Sequence, residues 1–414
     1  MSGTRYMTAQ EAAEALNVSR NTLYAYVSRG LIRSESQGEG SRERRYHAED
    51  VYKLIERKQG RNNPEKLAQS ALYWGAPVLD SELTLIADGH LYYRGYDATW
   101  LARNETIERV ASLLWTDSFD QAHALFTTAF DSVTQYETML VHLEMDGAHP
   151  TPMQAMQFIL PIAAADDLAA LDMRSEAAIR TGARVLRLLV SVVAGDVPND
   201  VPIAVTLQQG LCPDNPDAQR LLDAAMILCA DHELNASSFA ARVVAAAGST
   251  LYAVVVAGLA ALQGVKHGGH TQRVEAMLRE VDRPQAARQV LAERLQRGDY
   301  IPGFGHRLYP DGDPRATALM DLIAEYAPNH EALALAKAVQ DAAYSLVDQR
   351  TTIDFALAIL GRVLNLNNGT PMTLFALGRT AGWVAHALEQ YQTDRLIRPR
   401  ARYTGPSPVS DQTG

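Results

Sequence analysis

Ile301 to Arg315 reads IPGFGHRLYPDGDPR. Two glycines precede a lone histidine, and the segment closes on Asp-Pro-Arg, in a chain whose other long stretches are rich in alanine and leucine. Glycine leaves the main chain uncovered and free of the steric limits on other residues. The stretch is therefore suited to present side chains and bare backbone to a ligand, and the rest of the chain limits which one.

At 414 residues the chain exceeds one ordinary domain and predicts two or three units. A hydrophobic fraction of 47% with 21% charged residues is that of a globular protein. The longest apolar runs, such as Leu251 to Leu262, fall short of the roughly 18 residues a membrane span needs. The start, MSGTRYMTAQ, has no basic region followed by an apolar core, so no secretory signal is read and a cytoplasmic location is expected. The two cysteines, Cys212 and Cys229, are too few for a disulfide framework or a cysteine-built metal site and are expected in the core.

The net charge of −10 is unevenly spread. Residues 1–62 carry 11 Lys and Arg against 8 Asp and Glu, a net of +3, which leaves −13 for the remainder. Two modules with different electrostatic character follow from this. In the first, Thr8-Ala9-Gln10-Glu11 is a capping box that opens a short helix with Ala12, Ala13 and Leu16 inside. Ser19 caps a second helix carrying Leu23, Tyr26 and Val27, with Asn17-Val18 as the joint and Gly30 as the stop. The polar loop SESQGEGSRERR has the composition of a wing, and a third helix is predicted from about Ala48.

Beyond QGRNNPEK the pattern becomes three- and four-residue apolar spacing broken by short Gly/Pro/Asp turns, with little strand-like alternation. The second module is predicted to be all-α, with two helices between Leu221 and Gly264 interrupted near Asn235 to Ser238. Four places in it carry chemistry. DHELNAS, residues 231–237, sets His232 among small residues; HExxH would need histidine at 236, where the chain has alanine. GVKHGGH, residues 264–270, flanks His267 with glycines, where a substrate could approach backbone. His267 and His270 are three apart, and the intervening Gly-Gly weakens the geometry by which such a pair would share a metal, so no metal is expected. The third place is the 301–315 stretch. The fourth, TTIDF at 351–355, sets Asp354 among apolar neighbours, which raises a carboxyl pKa and suits a general base. Together, three histidines, one base and several arginines suit a carbon-acid condensation. The carboxylate removes a proton, one histidine steadies the enolate, another polarises the acceptor carbonyl, and guanidinium forks hold carboxylates.

Two resemblances sharpen this. AAEALNVSRNTLYAYVSRGLIRSE followed by RRYHAEDVYKLIE resembles a MerR-like or excisionase-like winged helix-turn-helix domain. It implies possible DNA contacts from Arg20, Asn21, Thr22 and Tyr24 on a recognition helix and from Arg42, Arg44 and Arg45 on the wing. A docking domain that kept this fold is the other reading. From about Pro77 to Gly405, LYYRGYDATWLA, ADHELNASSFAARV, GVKHGGH, IPGFGHRLYPDGDPRA, TIDFALA, LFALGRTAGWVAHALEQ and IRPRARYTG follow the order of segments in the citrate synthase family. That resemblance implies an all-α fold of large and small helical domains behind a small winged helix-turn-helix. The expected division is 1–62 for the first domain, 63–71 for a linker and 72–414 for the citrate synthase-like domain, with a closing small subdomain at about 270–368.

The same resemblance implies an acyl-CoA:oxaloacetate condensing enzyme that makes citrate and coenzyme A from acetyl-CoA. The alternatives are a 2-methylcitrate synthase using propionyl-CoA, or a DNA-binding regulator with a metabolite-sensing domain. It implies catalytic roles for His267, His306 and Asp354, and oxaloacetate binding by His232, Arg315, Arg379 and Arg398, the last from a partner subunit of a homodimer. Ile301, Pro302, Gly303, Phe304 and Gly305 would meet the adenine of coenzyme A, which enters as a thioester substrate; no cofactor is expected. This chain departs from the family pattern at Val265-Lys266 before His267, at His270-Thr271 after Gly269, at Pro310, and at Ala356-Leu357-Ala358 after Phe355. These bear on the mouth of the site, on coenzyme A phosphate binding, where Lys266 or Arg307 could substitute, and on the acyl group.

Overall fold

The computed structural model describes residues 6–36, 44–48, 50–52, 54, 78–127, 150–196 and 200–406, in two compact units, Met1–Asp80 and Ser81–Gly414. The expected linker at 63–71 and the wing residue Arg42 lie outside the described residues.

In the first unit the capping box forms as the sequence predicts. The Thr8 side chain accepts from the Glu11 N–H while Glu11 reaches back to the Thr8 N–H, which starts the helix Ala9–Ala15. Asn17 turns the chain with a positive φ of 51°, and Ser19 caps the helix Arg20–Ser28 by accepting from the Thr22 N–H. That helix ends where Gly30 takes φ 72°, and the Leu31 N–H bonds back to the Tyr26 carbonyl. Three short strands form an antiparallel sheet in which Arg44–His47 lies between Tyr6–Met7 and Ser34–Ser36. Helical backbone resumes at 48. Ala12, Leu16, Leu23, Ile32, Tyr46 and Val51 fill a small core between the helices and the sheet.

The second unit is helical, as predicted, apart from an antiparallel meander at its entry, Thr84–Ala87, His90–Tyr93 and Tyr96–Asp97. Its turns fall at Asp88-Gly89 and Arg94-Gly95, all with positive φ. Between Leu221 and Gly264 there are three helices rather than two: Gln219–Cys229, Ala236–Ala246 and Leu251–Leu262. The second break, with Gly248 at φ 76° after Ala246, lies in a run whose hydrophobicity alone looks continuous. Cys212 and Cys229 are both buried, as expected.

The helix Thr370–Thr393 runs through the middle of the unit and is buried at nearly every position from Thr370 to Leu388. It is covered on all sides, as a helix surrounded by others must be, and the few polar groups it carries, such as Arg379 and His386, are buried with it. Two glycines let it approach the helix Gln219–Cys229 and the bend after it. A Cβ at Gly378 would overlap the carbonyl oxygen of Met226, and one at Gly382 would overlap that of Ala230 and come within 2.7 Å of an Asp231 carboxylate oxygen. On an exposed helix, replacing glycine by alanine stabilises by about 0.5–1 kcal/mol. At position 378 the overlap with backbone reverses the sign, so Gly378→Ala should cost about 1–3 kcal/mol. Urea unfolding measures this, and an unchanged or raised midpoint would show that the close approach is not a constraint.

Candidate active site

Five segments of the second unit converge on one cluster. His232 lies on the bend between Gln219–Cys229 and Ala236–Ala246. Its predecessor Asp231, fully buried, folds its carboxylate around the bend by accepting from the Glu233 N–H at 3.2 Å and from the Thr84 hydroxyl at 2.6 Å. The Tyr93 hydroxyl, from the meander, holds the same bend by donating to the carbonyls of Ile227 and Asp231. His232 itself is buried and shares a 3.0 Å hydrogen bond between Nε2 and the Tyr309 hydroxyl. Its ring stands edge-on to that of His306 at 5.3 Å. Burial, reinforced by Arg315 and Arg379, holds the His232 pKa well below the usual histidine value, so the ring is neutral.

His267 sits on the turn that leads into the helix Gly269–Val281. Its Nε2 is 2.8 Å from the Ser237 hydroxyl, which also accepts the indole N–H of Trp383 at 3.2 Å. Burial, then the charge of Arg379, lowers its pKa to about 4. Gly268 has helical dihedrals and Gly269 opens the helix, although the Gly-Gly pair was expected to weaken helical geometry between the two histidines. What the missing side chains permit is packing: a Cβ at Gly268 would come within 2.7 Å of Leu262, and one at Gly269 within 3.1 Å of the Gly264 carbonyl. The two histidines face different neighbours, His267 towards Ser237 and His270 towards the ring of Tyr300 at 5.6 Å. Among the described residues, no group of three or more His, Cys, Asp or Glu side chains is placed to hold a metal ion.

His306 comes from the quoted stretch, whose glycines are needed for its turns, Gly303 at φ 84° and Gly305 at φ 78°. Ile301 to Phe304 are buried, with Phe304 packed edge-on to Phe355 at 5.2 Å, and Gly305 is exposed. The Gly303 carbonyl accepts from the Thr352 N–H and the Gly305 N–H donates to the Arg350 carbonyl, each at 2.8 Å, which ties the loop to the segment before Asp354. His306 Nδ1 accepts from the Leu308 N–H at 3.2 Å, so the hydrogen of the neutral ring lies on Nε2. Burial, then Arg315, lowers its pKa to about 4.

Arg315 is buried and forked on Asp313, Nε to Oδ1 at 2.9 Å and Nη2 to Oδ2 at 2.8 Å. Nη1 takes no part in this fork. Arg379, on the central helix, is 1% exposed; its Nε donates to the Cys229 carbonyl at 2.7 Å, and its buried Nη2 has no partner among the described residues. A buried guanidinium nitrogen without a partner has a hydrogen bond to give, which an anionic oxygen would satisfy. Asp354 stands in the first turn of the helix Ile353–Val363, and burial raises its pKa above the usual carboxylate value. Arg398 is exposed, on the irregular segment after Thr393.

Tyr309, Ser237, Asp313 and Thr271 belong to the cluster without having been singled out for it from the sequence. Tyr309 touches both His232 and His306, and its ring lies 5.6 Å from the Arg315 guanidinium. A local signal existed for Asp313 alone, since Asp-Pro before a helical run marks a helix start.

In the first unit, Arg20, Tyr24, Arg44 and Arg45 line one groove with Gln10 and Tyr46. Arg20, Asn21, Arg44 and Arg45 are exposed, as is Tyr24. Thr22 is engaged in the helix cap, its hydroxyl 2.9 Å from that of Ser19.

Comparison with known proteins agrees with both units. Residues 72–400 match the family described as citrate synthase, C-terminal domain, and residues 6–59 match a helix-turn-helix domain. Citrate synthase 2 of Bacillus subtilis is 30% identical over 354 residues, covering 80% of this chain and 95% of that protein. 2-methylcitrate synthase 2 of Corynebacterium glutamicum is 28% identical over 341 residues, covering 76% and 88%. The crystal structure of citrate synthase from Thermotoga maritima superposes with a TM-score of 0.69 at 26% identity, covering 81% of this chain and 96% of that one.

The fork on Asp313 gives a test of how the site is built. Asp313→Asn keeps the shape but leaves Arg315 buried without a counter-charge, which should cost about 3–5 kcal/mol in urea unfolding. Arg315 holds the Asp313 pKa below the usual value, against the effect of burial. The contribution is therefore complete above a pH of about 4 and disappears as pH falls through the depressed folded value. Equal stability of variant and parent at neutral pH would remove the fork from this role.

Proposed function

The chain belongs to the citrate synthase family, and on that premise we propose that oxaloacetate and an acyl-CoA meet in the cluster of His232, His267, His306, Arg315, Asp354 and Arg379. The protein is an acyl-CoA:oxaloacetate condensing enzyme, an acyltransferase whose acyl group becomes part of a longer carbon chain. The observation that carries the site assignment is the meeting of three imidazoles held neutral by burial with two buried guanidiniums, one of them short of a partner.

In this reading the Asp354 carboxylate takes a proton from the carbon beside the thioester carbonyl, and the electron pair moves onto the carbonyl oxygen. An N–H of His267 holds that oxygen. The Ser237 hydroxyl is 2.8 Å from both Asn235 Oδ1 and His267 Nε2. Asn235 Oδ1 also accepts two backbone N–H groups at the cap of Ala236–Ala246, so in this reading the hydroxyl turns its hydrogen from Asn235 to His267 Nε2 and leaves the other ring nitrogen as donor. The enol carbon then bonds to the keto carbon of oxaloacetate, whose oxygen is polarised and protonated by the Nε2–H of His306. His232, Nη1 of Arg315 and Nη2 of Arg379 hold the acceptor's carboxylates. Water cleaves the resulting thioester and releases coenzyme A. A neutral imidazole suits both steps, because it lends a hydrogen bond without giving up its proton prematurely.

The remaining assignments rest on family resemblance together with placement. The catalytic domain runs from 72 to 414 with a small subdomain at about 270–368, whose closure would exclude water. Ile301, Pro302, Gly303, Phe304 and Gly305 face the adenine of coenzyme A, and Lys266 or Arg307, both exposed, meets its phosphates in place of the cation absent at Pro310. The active form is a homodimer in which the partner subunit's Arg398 completes the oxaloacetate site. Acetyl-CoA is the acyl donor, with propionyl-CoA as the alternative. No helix among the described residues is long and apolar enough to cross a membrane. A metabolite-sensing regulator would need the carboxylate grips but no base, and the placement of Asp354 favours the enzyme.

Asp354→Asn should lower the release of free coenzyme A, from either acetyl-CoA or propionyl-CoA with oxaloacetate, by at least about 100-fold. Oxaloacetate binding, measured by calorimetry, should persist. Undiminished turnover in that variant would remove Asp354 from the mechanism, and the ratio of the two parent rates identifies the acyl group.

For the first unit we propose DNA binding through the groove that Arg20, Tyr24, Arg44 and Arg45 line, with Asn21 next along the helix from Arg20. Two copies in a dimer should select a pseudo-palindromic site, and affinity should fall steeply as salt rises. Selection of genomic fragments by the full-length protein tests this. Weak binding indifferent to sequence would make the unit a docking domain.

A further inference from the structure

Thr271 plays no part in the mechanism above, yet its hydroxyl makes the shortest hydrogen bond to the proposed base. Thr271 Oγ donates to Asp354 Oδ1 at 2.6 Å, across 83 residues of sequence, from a side chain with no exposure. A threonine in the first turn of a helix usually turns its hydroxyl back onto its own backbone. Here the helix Gly269–Val281 has no side-chain cap, and the hydroxyl points out of it to the carboxylate. The other carboxylate oxygen, Oδ2, has one long contact of 3.4 Å, from the Thr352 hydroxyl. Hydrogen bonding is therefore strongly unequal at the two oxygens, as direction and distance both require.

We propose that Thr271 is a positioning residue for the condensation: it fixes the Asp354 carboxylate through Oδ1 and leaves Oδ2 as the atom that receives the acyl proton. This rests on the site reading given above and goes one step further, to which oxygen reacts and what aims it. The surroundings make the aim rigid. The helices Gly269–Val281 and Ile353–Val363 pack against each other, and Arg362 Nη2 donates to the Leu278 carbonyl at 3.1 Å near their far ends. A Cβ on Gly303 would meet Val274 of the first helix and Phe355 of the second, so the quoted loop is wedged between them. Asp354 thus has its main chain on one helix and one oxygen held by the other, which leaves its carboxylate little freedom to rotate. A base fixed within a few tenths of an ångström of the productive geometry loses little to misaligned encounters.

The hydrogen bond also favours the charged carboxylate over the neutral acid. Other groups act on Asp354 as well: His270 on the same helix as Thr271, Asp313 and Arg315 at the start of the helix Pro314–Tyr326, and Thr352 on its own segment. All of them remain in a Thr271 variant, so a change in pH dependence isolates the hydroxyl.

The test uses full-length protein with the parent, Thr271→Val and Thr271→Ser. Valine has nearly the shape of threonine without the hydroxyl, and serine has the hydroxyl without the methyl. With saturating oxaloacetate and acyl-CoA, Thr271→Val should lose roughly tenfold in kcat, and Thr271→Ser should recover most of it. The acid limb of the rate profile should move up by about one pH unit in Thr271→Val, since activity needs the carboxylate and the bond that favoured it is gone. The KM for oxaloacetate should stay within about twofold of the parent, because the guanidinium grips are untouched. Calorimetric binding of oxaloacetate to each variant shows that the site is folded independently of turnover. An unchanged kcat and acid limb in Thr271→Val overturns the proposal, as does a loss that Thr271→Ser fails to reverse. If the parent itself releases no coenzyme A with either thioester, the site reading falls and this inference with it.

Discussion

The carboxylate of Asp313 is the interaction on which the site depends. It is 1% exposed and has four donors: Nε and Nη2 of Arg315, the N–H of Arg315 at the helix start, and the N–H of Ile353 at 3.0 Å. The first three place the guanidinium proposed to grip the acceptor; the fourth places the residue immediately before the proposed base. One buried negative charge thus ties Arg315 to the segment that carries Asp354, the two residues proposed to hold the acceptor and to activate the donor. The arrangement also answers the cost of burying Arg315, since a charge taken out of water must find both a counter-charge and satisfied hydrogen bonds.

Around this anchor the chemistry is set by where burial is applied. The same removal of water depresses the histidine pKa values and raises that of Asp354, so imidazoles and carboxyl move towards their neutral forms together. Hydrogen bonds then separate their roles. The Leu308 N–H fixes the tautomer of His306, and the Ser237 hydroxyl, steadied by Trp383, meets His267. The protein selects what each group does through a neighbour rather than through its residue type.

That division explains what could be read from the chain in advance. His267, His306, Asp354 and Arg315 stand in short local patterns, and the helical body follows from apolar spacing. Asp231, Ser237, Tyr309 and Thr271 matter through contacts across tens to well over a hundred residues, for which a single sequence carries no local signal. Thr271 was visible only as a departure from the family pattern. Gly268 and Gly269 were legible as necessary, but for a reason only packing discloses, because the close approach they allow is to Leu262 and Gly264. The break after Ala246 was hidden for a related reason: in a buried helical hairpin, hydrophobicity does not fall at the turn.

Arg379 carries a last consequence. Its Nη2 is buried with no partner among the described residues, and because a buried donor left unsatisfied costs about 1–3 kcal/mol, a carboxylate that met it would gain by removing that cost. Ligand affinity and resting stability are therefore drawn from one reservoir at this position. A sequence chosen for durability alone would discard the arginine.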